Sequence, residues 1–107
     1  MSVAFQKAAL DDVASISEYI RRYSEVAARS VVRRIRAAAR RLSRFPFAGR
    51  IGEAGTRELV VTRLPYIIIY RVLDASDPPF VEIVGVFHAA RDRSGGEAAA
   101  EMRKRLR

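Results

Sequence analysis

The chain has 107 residues, half of them hydrophobic, and a formal net charge of +8 from 20 basic and 12 acidic side chains. That length and apolar share fit one folded domain and exclude a disordered chain, and no stretch approaches the roughly 18 consecutive apolar residues of a membrane span. The absence of cysteine and the single histidine, His88, exclude a disulfide framework, a thiolate zinc site and a histidine cluster, so neither metal nor cofactor is expected.

The N-terminus lacks the charged segment and apolar run of a signal peptide, and a soluble, cytoplasmic protein is expected. Val3 to Phe5 can form a short edge strand. Leu10, Val13, Ile16, Ile20 and Tyr23 then recur at spacings of three and four, the apolar stripe of an amphipathic helix. Asp11 and Asp12 are expected in its first turn, with Arg21 and Arg22 near its end, where the helix dipole favours each sign. Ser24 is the natural N-cap of a second helix. Ala28, Val31, Ile35, Ala38, Leu42 and Phe45 supply that helix with a continuous stripe, and Pro46 should stop it, because proline disfavours helical geometry in the preceding residue. The short link implies an antiparallel helical hairpin.

Proline and glycine mark residues 46–57 as a loop. Strands are expected over 57–64, 65–73 and 80–90, the last two joined by an Asp/Ser/Pro turn into an antiparallel hairpin. A polar break over 91–96 leads to a tail in which Ala98, Met102 and Leu106 have the spacing of a short amphipathic helix. The order β-α-α-β-β-β, helices first and strands afterwards, is an α+β pattern: a helical hairpin on a mainly antiparallel sheet. The domain is expected over 1–94 and the tail over 95–107.

Side chains alternate across a strand. Tyr66, Ile68, Tyr70 and Val72 therefore share one face, and Ile67, Ile69, Arg71 and Leu73 the other. On the last strand, Val84, Val86 and His88 should face one way and Val81, Ile83 and Phe87 the other. Both sheet faces are then apolar, so one face awaits cover by the tail or by a partner. Arg71 either contacts an anion or extends its head to the sheet edge. His88, close to Arg91 and Arg93, either binds phosphate or transfers a proton, or bonds to its own loop. Of the 20 basic residues, 18 are arginine, the side chain best suited to carboxylate and phosphate; the charge serves an acidic partner or simply solvates the helix faces.

These pieces, in this order, resemble the RelE/ParE toxin superfamily of bacterial toxin–antitoxin modules, and its ParE branch in particular. The resemblance rests on Leu10, Asp11, Asp12 and Ile16, Tyr19 and Ile20, residues 45–50 (Phe-Pro-Phe-Ala-Gly-Arg), Arg57, residues 65–72, and residues 88–92 (His-Ala-Ala-Arg-Asp). It implies a ParD-like antitoxin that wraps the toxin with a flexible, often acidic segment, and apolar candidates for that contact are Leu10, Ile16, Ile20, Ile67 and Ile69. The superfamily divides on activity. Some members cut mRNA in the ribosomal A site without a metal, using basic residues. The positions that match two of those residues hold Ile67 and Ala89 here, and neither can stabilise a phosphorane charge. Arg71, His88 and Arg91 are the substitutes if this chain is a ribonuclease. ParE-like members instead inhibit DNA gyrase, and for that role the candidates are Arg57, Arg71, His88, Arg91 and Arg93.

Overall fold

Capping and apolar spacing set the helices of the computed structural model, which describes residues 1–90 and 97–106. In chain order the elements are β1 (Ser2–Phe5), α1 (Lys7–Arg21), α2 (Glu25–Arg41), β2 (Arg50–Ile51), β3 (Arg57–Val60), β4 (Tyr66–Leu73), β5 (Phe80–His88) and α3 (Glu97–Arg105). The Ser24 hydroxyl accepts a hydrogen bond from the Ala27 N–H at 3.0 Å and so satisfies one orphan donor of α2. The five strands form one sheet in the order β1-β5-β4-β3-β2. β1 runs parallel to β5, and the other pairings are antiparallel.

The α1–α2 hairpin covers one face of the sheet. Its core joins Val13 and Ile16 of α1 and Ile35 and Ala39 of α2 to Tyr66, Ile68 and Tyr70 of β4 and to Val81, Ile83 and Val86 of β5. Removing a side chain such as Ile68 or Ile83 from water contributes about 1.5–3 kcal/mol. The other face is a smaller apolar layer of Ile67, Ile69, Val84 and Phe87, and Met102 of α3 and Leu106, just beyond the helix, pack on it. The second apolar face is thus covered by the chain's own tail. The expected boundary between residues 94 and 95 falls outside the described residues.

Simple alternation fails on β5. Ile69 pairs with Gly85 and Tyr70 with Ile83, so Val84 is an inserted residue, a β-bulge. The bulge shifts the phase by one. Val81 and Ile83 join Val86 on the helix side, while Val84 joins Phe87 beneath α3. The expected sharing of a face by Val84 and Val86, and by Ile83 and Phe87, is corrected accordingly.

Four other expectations are corrected. The buried residues of α1 are Ala9, Val13 and Ile16, so the stripe is rotated and Leu10 and Tyr23 are exposed. α1 begins at Lys7, which puts Asp11 and Asp12 beyond the first turn. α2 ends at Arg41, before Pro46 can act, and Phe45 is 56% exposed rather than core. The stretch 57–64 is a strand only over Arg57–Val60, and Arg50–Ile51, expected as loop, pairs with it.

Tyr70 holds the intervening loop. Its hydroxyl, inside the core, accepts the Gly49 N–H at 2.8 Å. A Cβ at Gly49 would lie 2.8 Å from both the Tyr70 hydroxyl and the Glu58 carbonyl oxygen, so the approach requires glycine.

Candidate functional site

Among the described residues, those nominated from sequence fall into separate places rather than one cluster. His88 ends β5 opposite Tyr66, with the two rings edge to face at 5.6 Å. Its Nδ1 accepts the Ala90 N–H at 3.3 Å, a bond to its own loop. Arg71 pairs with Glu82 across β4 and β5, and its Nε lies 2.6 Å from a Glu82 carboxylate oxygen. Along β4 the two places are separated by the run from Tyr66 to Arg71, about 17 Å of strand. Arg57, on the helix side of β3, donates to the carbonyl oxygens of Phe47 at 3.3 Å and Gly49 at 2.9 Å, and its guanidinium lies over the Phe47 ring at 4.9 Å. Arg91 and Arg93 lie outside the described residues.

The apolar candidates divide in the same way. Leu10 is 49% exposed and lines a groove of about 570 Å³ between α1 and α2, beside Val13, Val32, Arg36 and Arg40. Ile16 is core, and Ile20 is half-buried against that core. Ile67 and Ile69 are 2% and 4% exposed, beneath Met102 and Leu106. Ala89 borders the same layer, and its N–H bonds the Pro65 carbonyl at 2.7 Å. The two positions that the resemblance equates with basic residues therefore sit together in an apolar, covered layer.

What fastens the cover is a clasp that sequence reasoning missed. β1 stops at Phe5, and beyond it the outer edge of β5 is closed by side chains. An Asp12 carboxylate oxygen accepts the Val86 N–H at 2.9 Å. Arg105 of α3 meets the same carboxylate through two nitrogens, at 2.6 and 3.1 Å, and also donates to the Val84 carbonyl at 3.1 Å. Gln6 donates to the Arg105 carbonyl at 3.1 Å. The fork geometry of arginine suits this bidentate contact. The hydrogen bond to Asp12 is the largest influence raising the Arg105 pKa above its ordinary value. A Cβ at Gly85 would come within 2.5 Å of the Met102 methyl and 2.6 Å of an Arg105 nitrogen, so α3 is seated directly on that backbone. A carboxylate and an arginine so far apart in the chain leave no periodic signal in one sequence.

Arg29, Arg33, Arg36 and Arg40 line a second groove that adjoins the Leu10 groove along α2, at the three- and four-residue spacing of one helix face. Among the described residues, no group of three or more His, Cys, Asp or Glu side chains can hold a metal ion, and no helix is long and apolar enough to cross a membrane.

Comparison with known proteins places this arrangement. The family described as the ParE toxin of the type II toxin–antitoxin system parDE matches residues 3–93. Toxin RelE2 of Caulobacter vibrioides is 42% identical over 83 residues, covering 78% of this chain and 89% of that protein. Among solved structures, a chromosomal ParDE toxin–antitoxin system from P. aeruginosa superposes with a TM-score of 0.69 at 23% identity, covering 82% of this chain and 95% of that one. A YoeB/ParE toxin from Agrobacterium tumefaciens gives a TM-score of 0.56 at 22% identity, with 82% and 98% covered. These two likenesses bear on the fold alone.

Proposed function

The chain belongs to the ParE toxin family of type II toxin–antitoxin systems, and from that premise we propose that a ParD-like antitoxin restrains it and that, once free, it inhibits DNA gyrase. The observation that carries the choice of target is the apolar character of residues 67 and 89. Metal-free cleavage of RNA needs fixed cations around the phosphate, and removing one such group typically costs about 100- to 1,000-fold in rate. Ile67 is buried and Ala89 borders the same apolar layer, under α3. The two substitutes among the described residues do not converge: Arg71 is bound to Glu82, and His88 lies at the other end of β4. A surface that grips a protein needs no such convergence.

For the antitoxin, the groove around Leu10 offers an apolar floor with Arg36 and Arg40 at its rim, which suits an acidic amphipathic segment. Ile16 and Ile20 support that floor from the core. Ile67 and Ile69 can serve the antitoxin only where α3 gives way.

The test is a supercoiling assay with purified, antitoxin-free protein. Inhibition of gyrase with accumulation of cleaved DNA at micromolar concentration is expected. Absence of any gyrase effect at that concentration refutes the proposal. The name of the RelE2 relative favours a second reading, ribosome-dependent mRNA cleavage. Codon-positioned cleavage on programmed ribosomes that is lost in Arg71→Ala or His88→Ala would establish it.

A further inference from the structure

A third groove lies where the loop after α2 folds back toward β3. Its volume is about 470 Å³, and Leu42, Phe45, Phe47 and Leu59 line it together with Arg41 and Arg44. Phe45 and Phe47 are 56% and 55% exposed, although each is a large apolar ring. They are not loosely displayed. The Tyr70 hydroxyl holds Gly49, and Arg57 holds the carbonyls of Phe47 and Gly49. A guanidinium lies against each ring, Arg44 at 5.9 Å from the Phe45 centroid and Arg57 at 4.9 Å from that of Phe47. Ile51 pairs with Arg57 across β2 and β3, faces the same side and is 78% exposed. Fixed aromatic side chains rimmed by arginine are the usual make-up of a binding hot spot.

The charge around this groove has one sign. No carboxylate lines it, and among the described residues neither Arg41 nor Arg44 has a carboxylate partner. The α1–α2 face is also lined by arginines without a carboxylate among the lining residues, and what sets this groove apart is its pair of exposed, braced aromatic rings. We propose that the Phe45–Phe47 groove is a docking site for an acidic peptide segment that inserts a bulky apolar side chain between the two rings and lays its carboxylates on Arg41 and Arg44. A protein segment fits better than single-stranded nucleic acid. The guanidinium of Arg57 already covers one face of Phe47, and the floor of Leu42 and Leu59 forms a recess rather than a flat stacking platform. In this arrangement Arg57 is a positioning residue that keeps Phe47 presented. The inference goes beyond the gyrase reading and is independent of it: the supercoiling and ribosome assays read the target, and either can fail while this site stands.

The test titrates the isotope-labelled full chain with a synthetic dodecapeptide in which Asp and Glu alternate with Leu and Phe. Amide shifts should appear at residues 41–48 and at Leu59, beside any at the Leu10 groove proposed for the antitoxin. A control peptide with serine in place of Leu and Phe should bind at least about tenfold more weakly, and so should the parent peptide to Phe47→Ser. Phe45→Ser, with circular dichroism to confirm folding, provides a second variant if Phe47→Ser does not fold. The proposal is overturned if residues 41–48 and Leu59 do not shift, whatever happens at the Leu10 groove, or if the folded variants bind there as the parent does. It is overturned equally if an oligothymidylate of matched charge moves the same groove resonances at lower concentration than the peptide.

Discussion

Replacing Arg105 with alanine should undock α3 while leaving the α1–α2 core intact. The substitution removes both contacts to Asp12, at 2.6 and 3.1 Å, and the bond to the Val84 carbonyl at 3.1 Å. Hydrogen bonds to charged groups contribute about 1.5–3 kcal/mol, whereas exposed ion pairs contribute about 0–1 kcal/mol. With side chains 13% and 20% exposed, this pair lies toward the buried end, and Asp12 keeps its bond to the Val86 N–H. A loss of about 2 kcal/mol is expected. α3 has nine residues, too few to be stable as an isolated helix, so weakened docking becomes melting of the helix. Native-state hydrogen exchange reads this directly. Amides of α3, and that of Leu106, which bonds the Met102 carbonyl, should exchange about 30-fold faster, while Ile35 and Ala39 keep their protection. A double-mutant cycle with Asp12→Asn should show coupling of about 1–2 kcal/mol. Unchanged α3 protection would refute the clasp, and so would a loss spread evenly over α1 and α2.

Three further outcomes follow from the core and its caps. Ser24→Ala should lower stability by about 1 kcal/mol in urea unfolding, because the Ala27 N–H loses its partner. Leu42→Ala, at a fully buried position, should cost about 2–5 kcal/mol in the same assay. Burial is the largest influence on the Tyr70 phenol and raises its pKa above the ordinary 10.0, against the lowering effects of the Gly49 N–H and Arg57. The unfolded chain then ionises first. The associated stability is complete below about pH 10 and is lost as pH rises past it. Tyr70→Phe should flatten that alkaline decline in a melting-temperature series, at a cost of about 1–3 kcal/mol at neutral pH for the orphaned Gly49 N–H.

The helical hairpin, the β4–β5 hairpin and the tail helix were all legible from residue spacing, because each combines an apolar period with a local stop or cap. Ser24 and the alternation of Tyr66, Ile68 and Tyr70 against Ile67 and Ile69 are the clearest examples. The failures share a cause: they depend on where other segments lie. Leu10 fits the apolar period of α1 but meets no opposing layer, and Phe45 continues the period of α2 past the point where the helix ends. Two-residue β2 has too little sequence to carry a pattern and exists through its pairing with β3. Of the candidate site, the burial of Ile67 and Ile69 follows from their strand. That Arg71 is bound to Glu82 follows from the register of two strands, which composition does not supply. The meeting of Asp12 and Arg105 likewise requires both faces of the sheet to be assembled.

The inserted Val84 has a consequence for mutational scanning. Along an uninterrupted strand, tolerance to polar substitution rises and falls every second position. A saturation scan of β5 should instead place the substitutions that weaken the helix-side core at Val81, Ile83 and Val86, spaced by two and then by three, while those at Val84, Gly85 and Phe87 weaken the seating of α3. That single wider step would record the place where the strand gains a residue.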